Sequence, residues 1–269
     1  MEKIKSKCII SSAAFSVKKK DIKQYDPLER KTPVVGDLVF AEVTDLGHHH
    51  RIESCSGRLH TLNVGTRAIF VFGNRYSPDQ YEGMVPEKYS ESVELFSQGG
   101  VIGTVTAQNQ LIGVTTKLKI LGYVCDNNGD VINSTDYVLI KPKHDARDKI
   151  GAKLILCIGT TMNSGKTHAA AACCYALSSM GRSVRAAKVT GTASLKDILL
   201  MNDCGADYVS DFTYFGYPST YMMSEDRLFH IFNSVDMKYG NSSRNYLVIE
   251  IADGIFQRET SMLLNMPKV

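Results

Sequence analysis

The residues that most clearly indicate a chemical function are a lysine and a threonine directly after a glycine-bounded loop. The loop runs from Gly159 to Gly165 and leads into Lys166 and Thr167. Glycine lets backbone N–H groups turn toward phosphate oxygens, because no Cβ stands in the way. A lysine here supplies charge to the outer phosphates, and a threonine hydroxyl can reach Mg²⁺. The spacing therefore predicts a phosphate-binding P-loop.

The residues on both sides of the loop support this prediction. Leu154 to Ile158 is a continuous apolar run, typical of a strand buried on both faces, and a helix is expected over 168–180. The helix would aim its positive N-terminal end at the phosphate. One departure is that five residues separate Gly159 from Gly165, and Thr160 stands where glycine is usual. The alternative is a chance Gly-Lys-Thr in a strand-to-helix turn.

We expect the loop and the first helical turn to bind the phosphates of a nucleotide. The predicted binding residues are Gly159, Thr160, Asn163, Ser164, Gly165, Lys166, Thr167 and His168.

The loop spacing and a second lysine motif resemble the dethiobiotin synthetase-like branch of P-loop proteins. Residues 183–189 are predicted to form the next strand, which ends near Lys188, with Thr190 and Gly191 just after it. In that branch, a lysine at this place faces the substrate. The resemblance implies that Lys188 contacts a substrate carboxylate or the transferred phosphoryl group.

A third apolar run, Tyr246 to Ile251, places carboxylates near its end, at Glu250 and Asp253. A carboxylate at the tip of a strand beside a P-loop is where Mg²⁺ is usually held. The resemblance favours Glu250, which with Thr167 forms the predicted metal site. The predicted catalytic residues are Lys166, Lys188 and Asp253. Asp253 would act by orienting water. Alternatively, Asp253 is the N-cap of a helix that starts near residue 255, or an Asx-turn residue.

Stretches at 211–221 and 252–260 extend the resemblance to most of the chain, as does the region at 73–76. They are similar to an uncharacterised group of proteins that couple such a P-loop domain to an N-terminal β-rich domain. The neighbouring DUF1611 family has a similar loop, and some of its members are linked to N-acylation of amino acids. This resemblance does not imply one particular reaction.

Composition excludes several classes of protein. The chain has 269 residues, which suits one large or two modest domains, and its net charge of +3 is too small to indicate nucleic acid binding. Its seven cysteines show no paired spacing, which predicts reduced thiols and a cytoplasmic location. We identify no signal peptide and no apolar run long enough to span a membrane, so no membrane partner is expected.

The pattern of elements predicts an α/β fold in two parts. Residues 1–140 contain short strand-like runs separated by turn residues, including Asp126-Asn-Asn-Gly129, and predict a small all-β barrel or sandwich. A polar linker is expected at 141–152. Residues 153–269 alternate strands and helices, which predicts a three-layer P-loop domain with a parallel sheet.

Two polar clusters in the first part each leave two interpretations open. His48, His49 and His50 could bind a metal, but consecutive residues of a strand alternate faces, so an exposed loop is favoured. The loop at 73–80 contains Arg75, whose guanidinium could meet a phosphate or carboxylate. That loop could equally be held by its own hydrogen bonds.

The P-loop domain is expected to be short at its C-terminus, since about four strands are present where resembling proteins continue. We therefore expect a homo-oligomer or a completing partner chain, which would cover an exposed sheet edge.

The leading functional hypothesis is an enzyme that uses ATP and Mg²⁺ for phosphoryl transfer or ligation on a small carboxylate-bearing or amino-acid-like molecule. The first alternative is an acetyl-CoA-dependent N-acyltransferase of the DUF1611 kind. The second is a non-catalytic, nucleotide-gated interaction module completed by a partner chain.

Overall fold

The computed structural model describes residues 1–5, 7–141 and 151–266, which form a mixed α/β protein with two compact units. The first unit is Met1–Val138 with Thr192–Leu195 and Gly216–Ser219, and the second is Leu139–Gly191, Lys196–Phe215 and Thr220–Val269. The division after Val138 lies close to the predicted end of the first domain at 140. Residues 142–150 of the predicted linker lie outside the described residues. The two short segments differ from the expectation, because the sequence assigned all of 153–269 to one domain.

The first unit contains eleven described strands. These are β1 (Glu2–Lys3), β2 (Ile9–Ile10), β3 (Gln24–Asp26), β4 (Leu38–Asp45), β5 (Arg51–Glu53), β6 (Leu59–Thr61), β7 (Arg67–Phe72), β8 (Tyr81–Met84), β9 (Ser92–Leu95), β10 (Val101–Gln108) and β11 (Thr116–Cys125). Nine of them form one sheet, in the order β1-β3-β11-β4-β7-β10-β8, with β2 on β7 and β9 on β10 and β11. The sheet is mixed, because β7 pairs in parallel with β2 and β10 while the other neighbours are antiparallel. Strands β5 and β6 form a separate antiparallel pair.

Strands β4 and β7 are buried on both faces, which explains their continuous apolar runs. Leu38 and Phe40 of β4 pack in one hydrophobic cluster, whereas Val39 and Ala41 pack in another. This division follows from the two-residue period of a strand, which sends alternate side chains to opposite faces. The core of this unit therefore lies on both sides of its central strands.

The predicted turn after β11 is confirmed. The backbone N–H of Asp126 donates to the carbonyl of Asp130 at 2.9 Å, and Gly129 has a φ of 95°. The side-chain Oδ1 of Asp126 also accepts from the N–H groups of Asn128 and Asp130. Asparagine, aspartate and glycine suit such a turn because they tolerate left-handed backbone or bond to it locally.

The second unit alternates strands and helices as predicted. Its elements are β12 (Lys153–Cys157), α1 (Lys166–Ser179), β13 (Ser183–Lys188), α2 (Leu195–Asp203), β14 (Tyr208–Asp211), α3 (Glu225–Tyr239), β15 (Asn245–Glu250) and α4 (Arg258–Leu264). The four strands are parallel in the order β12-β15-β13-β14. None of the described helices has the length and apolar character needed to cross a membrane.

Strand β12 is more exposed than its sequence predicted. Leu154 is 41% exposed and Ile158, just past the strand, is 44% exposed. Within the described part of the chain, β12 pairs only with β15 and lies at the edge of its sheet. The fully buried strand is β15, where Leu247, Val248 and Ile249 are all inaccessible. The apolar run of β12 therefore reflects strand propensity rather than burial on both faces.

Helix α1 packs through small side chains. Ala170 and Cys174 lie in a buried cluster with Val184, Ala186 and Val248 of the sheet. The helix ends at Ser179, and Gly181 follows with a φ of 70°. Glycine at this place closes a helix without steric strain. The predicted helix is confirmed, and its N-terminus begins directly at the loop.

His49 is buried, which corrects the expectation of an exposed histidine loop. Its side chain is 4% exposed, although His48 and His50 are exposed as predicted. Its Nε2 lies 3.3 Å from Nη1 of the buried Arg75, and Arg75 donates to Gln80 at 2.6 Å. These bonds favour the interpretation that internal contacts hold the Arg75 loop. No three histidine, cysteine, aspartate or glutamate side chains cluster as metal ligands within the described residues.

We predict that His49 makes the stability of the protein fall as pH is lowered from neutral. Burial, followed by the positive charge of Arg75, lowers the pKa of His49 from 6.5 to about 3. Between these values the unfolded chain binds a proton that the folded chain does not, so lowering pH favours unfolding. The expected contribution is a loss of about 2 kcal/mol between pH 7 and pH 5.

Urea unfolding at the two pH values measures this effect. His49→Gln should flatten the pH dependence, and His50→Gln, at an exposed position, should leave it unchanged. An equal pH dependence in wild type and His49→Gln would contradict the prediction.

Candidate functional site

Four side chains line up across the carboxyl ends of the parallel strands. Cys157 of β12 is in register with Glu250 of β15, Glu250 with Lys188 of β13, and Lys188 with Asp211 of β14. Residues in register on neighbouring strands point to the same face of a sheet. The fold therefore places Lys188 between the carboxylates of Glu250 and Asp211. All three lie at the carboxyl ends of the strands, where the loop begins.

Glycines allow the loop to close tightly on itself and on its neighbour. A Cβ on Gly159 would lie 2.1 Å from Oγ of Ser164, and a Cβ on Gly254 would lie 2.4 Å from the carbonyl oxygen of Thr160. Both distances are shorter than any real contact of a Cβ atom. Gly165 has a φ of 88°, which only glycine adopts without strain. The loop is thus a compact cradle whose backbone approaches neighbouring atoms closely.

Lys166 lies inside this cradle with only neutral oxygen partners. Its side chain is 7% exposed, and Nζ donates to the carbonyl of Thr161 at 2.7 Å, with Oγ of Ser164 at 3.5 Å. Burial lowers the pKa of Lys166, and the nearby charges of Asp253 and Glu250 act in the opposite direction. Within the described residues, no carboxylate oxygen lies within 4.0 Å of this ammonium group. A buried cation with neutral partners favours an incoming anion.

Thr167 and Glu250 meet beside the loop. Oγ1 of Thr167 donates to Oε1 of Glu250 at 3.1 Å, which joins the first turn of α1 to the end of β15. Glu250 is almost completely buried, and its Oε2 has no hydrogen-bond partner among the described residues. An unsatisfied carboxylate oxygen inside a protein is costly, so a cation is the natural partner for it.

Lys188 is held between two carboxylates. Its Nζ bonds to Oδ2 of Asp197 and lies 3.5 Å from Oε1 of Glu250. Burial opposes the charge on Lys188, but Asp197, Glu250 and Asp253 together raise its pKa above its usual value. Lys188 is therefore charged and paired with carboxylates, whereas the described hydrogen bonds of Lys166 are to neutral oxygens.

Sequence reasoning missed Asp197 and Asp211. Asp197 lies in the first turn of α2. Acidic residues are common there because they stabilise a helix, so the sequence did not distinguish Asp197 as a site residue. Asp211 ends β14 as Glu250 ends β15, so its place at a strand end was a signal present in the sequence. Its Oδ1 accepts from the N–H and hydroxyl of Thr213, whereas its Oδ2 is buried without a partner in the described structure. Burial raises the pKa of Asp211 to about 6, against the effect of Thr213.

The structure corrects one interpretation of Asp253. Helix α4 begins at Arg258, and its N-cap is Gln257, whose side chain accepts from the N–H of Thr260. Asp253 is therefore not the helix cap. The backbone around it is fixed, because the carbonyl of Ala252 accepts from the hydroxyls of Thr190 and Thr260 at 2.6 and 2.8 Å. The charge of Asp253 acts to raise the pKa values of both Lys166 and Lys188, so its carboxylate lies within electrostatic range of the two lysines.

The structure brings most of the predicted site residues together at one end of the second unit. Lys166, Lys188 and Glu250 are buried, while Gly159, Thr167 and Asp253 are half-buried. The loop residues Thr160, Asn163, Ser164 and Gly165 are exposed, and His168 is exposed in the first turn of α1. The exposed residues surround the buried ammonium of Lys166, so an anion could approach from solvent.

The donor set fits magnesium better than a metal that needs an all-protein cage. Thr167 and Glu250 offer oxygen ligands, and Mg²⁺ usually takes one or two protein oxygens together with water and phosphate oxygens. The unpartnered Oε2 of Glu250 is the observation in favour of such an ion.

No protein-family model, no curated protein and no solved structure matches this chain. The resemblance to dethiobiotin synthetase-like proteins therefore stays a prediction, and the function of the site has to be inferred from its own geometry and charges.

We predict that the two site lysines differ sharply in their effect on stability. Lys188→Met leaves the half-buried carboxylate of Asp197 and the buried carboxylate of Glu250 without their shared cation, so it should lower the free energy of unfolding by about 3 kcal/mol or more. Lys166→Met removes hydrogen bonds to neutral oxygens only, and should change stability by about 1 kcal/mol or less. Urea unfolding at pH 7 measures both. Equal losses in the two variants would contradict this arrangement of charges.

Proposed function

We propose that the second unit is a three-layer P-loop domain that binds ATP and Mg²⁺, in a chain of the dethiobiotin synthetase-like kind. In this proposal, the sheet of the first unit closes as a small barrel or sandwich. The reaction is phosphoryl transfer or ligation on a small carboxylate-bearing or amino-acid-like molecule. The observation that carries the proposal is the contact between Thr167 and Glu250 beside the buried Lys166, whose ammonium has no carboxylate partner among the described residues.

Phosphate recognition rests on the loop. Lys166 already points its ammonium into the loop, where the carbonyl of Thr161 holds it at 2.7 Å. A phosphate oxygen offers a stronger, charge-assisted bond than this neutral carbonyl does. The N-terminus of α1 adds its partial positive charge at the same place. Together these groups would hold the negative charge of the outer phosphates.

Metal binding rests on Thr167 and Glu250. Thr167 and Glu250 would hold Mg²⁺, which would offset the negative charge of the phosphates. The hydrogen bond of 3.1 Å between the threonine hydroxyl and the glutamate supports the proposal that both bind one small ion. Lys188, at 3.5 Å from Glu250, limits the net negative charge of the site in the absence of a cation.

In this proposal, Lys188 and Asp253 are the groups that act on the substrate. Asp197 holds the ammonium of Lys188 near the end of β13, so the charge is oriented before any ligand arrives. There it can offset charge on a transferred phosphoryl group or pair with a substrate carboxylate. Asp253, whose charge acts on both lysines, would orient a nucleophile or accept its proton. The homo-oligomer or completing partner chain expected from the sequence stays a prediction.

We predict that Lys166→Ala weakens Mg-ATP binding at least about a hundredfold, because the charge-assisted bonds to phosphate are lost. Isothermal titration with Mg-ATP, Mg-GTP and acetyl-CoA measures this on wild type and variant. Lys238→Ala, an exposed lysine on α3, is the matched control and should bind as wild type does. Lysine-dependent ATP binding supports the proposal. Selective binding of acetyl-CoA would replace it with the acyltransferase alternative, and ATP binding without turnover would favour the nucleotide-gated module.

We predict that Glu250→Gln removes the effect of magnesium on ATP affinity. Wild type should bind ATP more tightly with Mg²⁺ than with EDTA, whereas the variant should show about the same affinity in both. Glutamine keeps the size of the side chain and can still accept from Thr167, so binding of metal-free ATP should be retained. Glu225→Gln, at an exposed position on α3, serves as the control. A full magnesium effect in Glu250→Gln would exclude this residue as the metal ligand.

A further inference from the structure

The first unit contains a pocket of about 460 Å³ with an unusual lining. Lysines surround it, and isoleucines together with a cysteine line its interior. The lysines are Lys3, Lys5, Lys19 and Lys23. Among the described residues, no aspartate or glutamate lines the pocket. Its volume is in the range of cavities that hold small organic ligands.

The backbone brings these lysines together from separate segments. Lys3 of β1 is in register with Gln24 of β3, and the N–H of Ile4 donates to the carbonyl of Lys23 at 2.8 Å. The N–H of Cys8 donates to the carbonyl of Lys5 at 2.9 Å. The sheet and this turn therefore hold the lysine-bearing segments around the pocket.

The four ammonium groups have no hydrogen-bond or ion-pair partner within the described part of the chain. Like charges that share one cavity repel one another, and the repulsion is relieved when an anion enters between them. All four lysines are exposed, so an anion can reach them from solvent. The clustering of unpaired positive charge therefore indicates an anionic ligand.

The interior of the pocket favours a ligand with an apolar part. Ile22 is buried, and Ile4 and Ile10 are half-buried. Burial raises the pKa of the Cys8 thiol to about 11, so this side chain is neutral at physiological pH and adds to the apolar surface. A purely ionic ligand, such as free phosphate, would leave this surface in contact with water.

We propose that this pocket binds a small amphipathic anion, whose apolar body lies against the isoleucines and whose charged group lies among the lysines. Lysine is a flexible point charge, so a sulfonate, a phosphate or a carboxylate meets the same chemistry. The site is independent of the proposed nucleotide site, since all its lining residues belong to the first unit.

The test compares two fluorescent probes with the same aromatic body. 8-Anilinonaphthalene-1-sulfonate carries the anionic group, and N-phenyl-1-naphthylamine lacks it. The full chain should bind the sulfonate at least about tenfold more tightly than the neutral probe, and added sodium chloride should weaken the sulfonate alone. Phenyl phosphate should displace the bound sulfonate.

Three variants locate the binding. Lys19→Gln with Lys23→Gln should weaken sulfonate binding about tenfold or more. Lys117→Gln with Lys119→Gln removes the same net charge from exposed positions on β11 and should bind as wild type does. Lys166→Ala should also retain full binding, which separates this pocket from the P-loop.

Several results would overturn the proposal. Equal affinity for both probes would mean that the lysines do not select an anion. Loss of binding in Lys166→Ala alone would place the sulfonate at the nucleotide site. An equal loss of sulfonate binding in both double variants would mean that only the net charge of the protein matters. No binding of the sulfonate at all would exclude small amphipathic anions as ligands.

Discussion

The buried ammonium of Lys188, shared between Asp197 and Glu250, is the interaction on which the rest of the site depends. A charge taken out of water must be paired, so the ends of β13 and β15 and the first turn of α2 have to stay in their places. Glu250 in turn fixes Thr167 at the start of α1. One electrostatic constraint thus joins three parts of the unit around the glycine-bounded loop.

The conformation of the loop is set by steric limits instead. Among the described residues, no carboxylate pairs with the charge of its lysine. Gly159 and Gly254 permit approaches that any side chain would prevent. Lys166 is drawn inside by neutral oxygens and is not neutralised by a carboxylate in contact with it. The two lysines therefore differ, because carboxylates balance the charge of Lys188, whereas in the proposed function a bound phosphate balances that of Lys166. This contrast is the physical basis for the proposed phosphate site.

The first unit shows the same separation between paired and unpaired charge. Arg75 is buried against Gln80 and His49, which ties the loop at 73–80 to the loop after β4. Burial, followed by the charge of Arg75, keeps His49 neutral. The lysines at the N-terminal pocket have no partner among the described residues and lie around isoleucines and a cysteine. The buried contacts of Arg75 stabilise the fold, whereas the lysines of the pocket are the basis of the proposed anion site.

Local patterns in the sequence determined the order of the elements, the turn after β11, the loop and most of its site residues, because periodicity, glycine and strand-end position act over a few neighbouring residues. Only the tertiary structure decided that Asp197 pairs with Lys188, that Asp211 completes the row, and that β12 lies exposed at the edge of its sheet. It also decided that His49 is buried and that Gln257, rather than Asp253, caps α4. Each of these depends on which strands become neighbours or on which way a side chain faces after folding. Contacts between residues that are far apart in the sequence produce no periodic pattern in it, so only the packing of the folded chain determines these contacts.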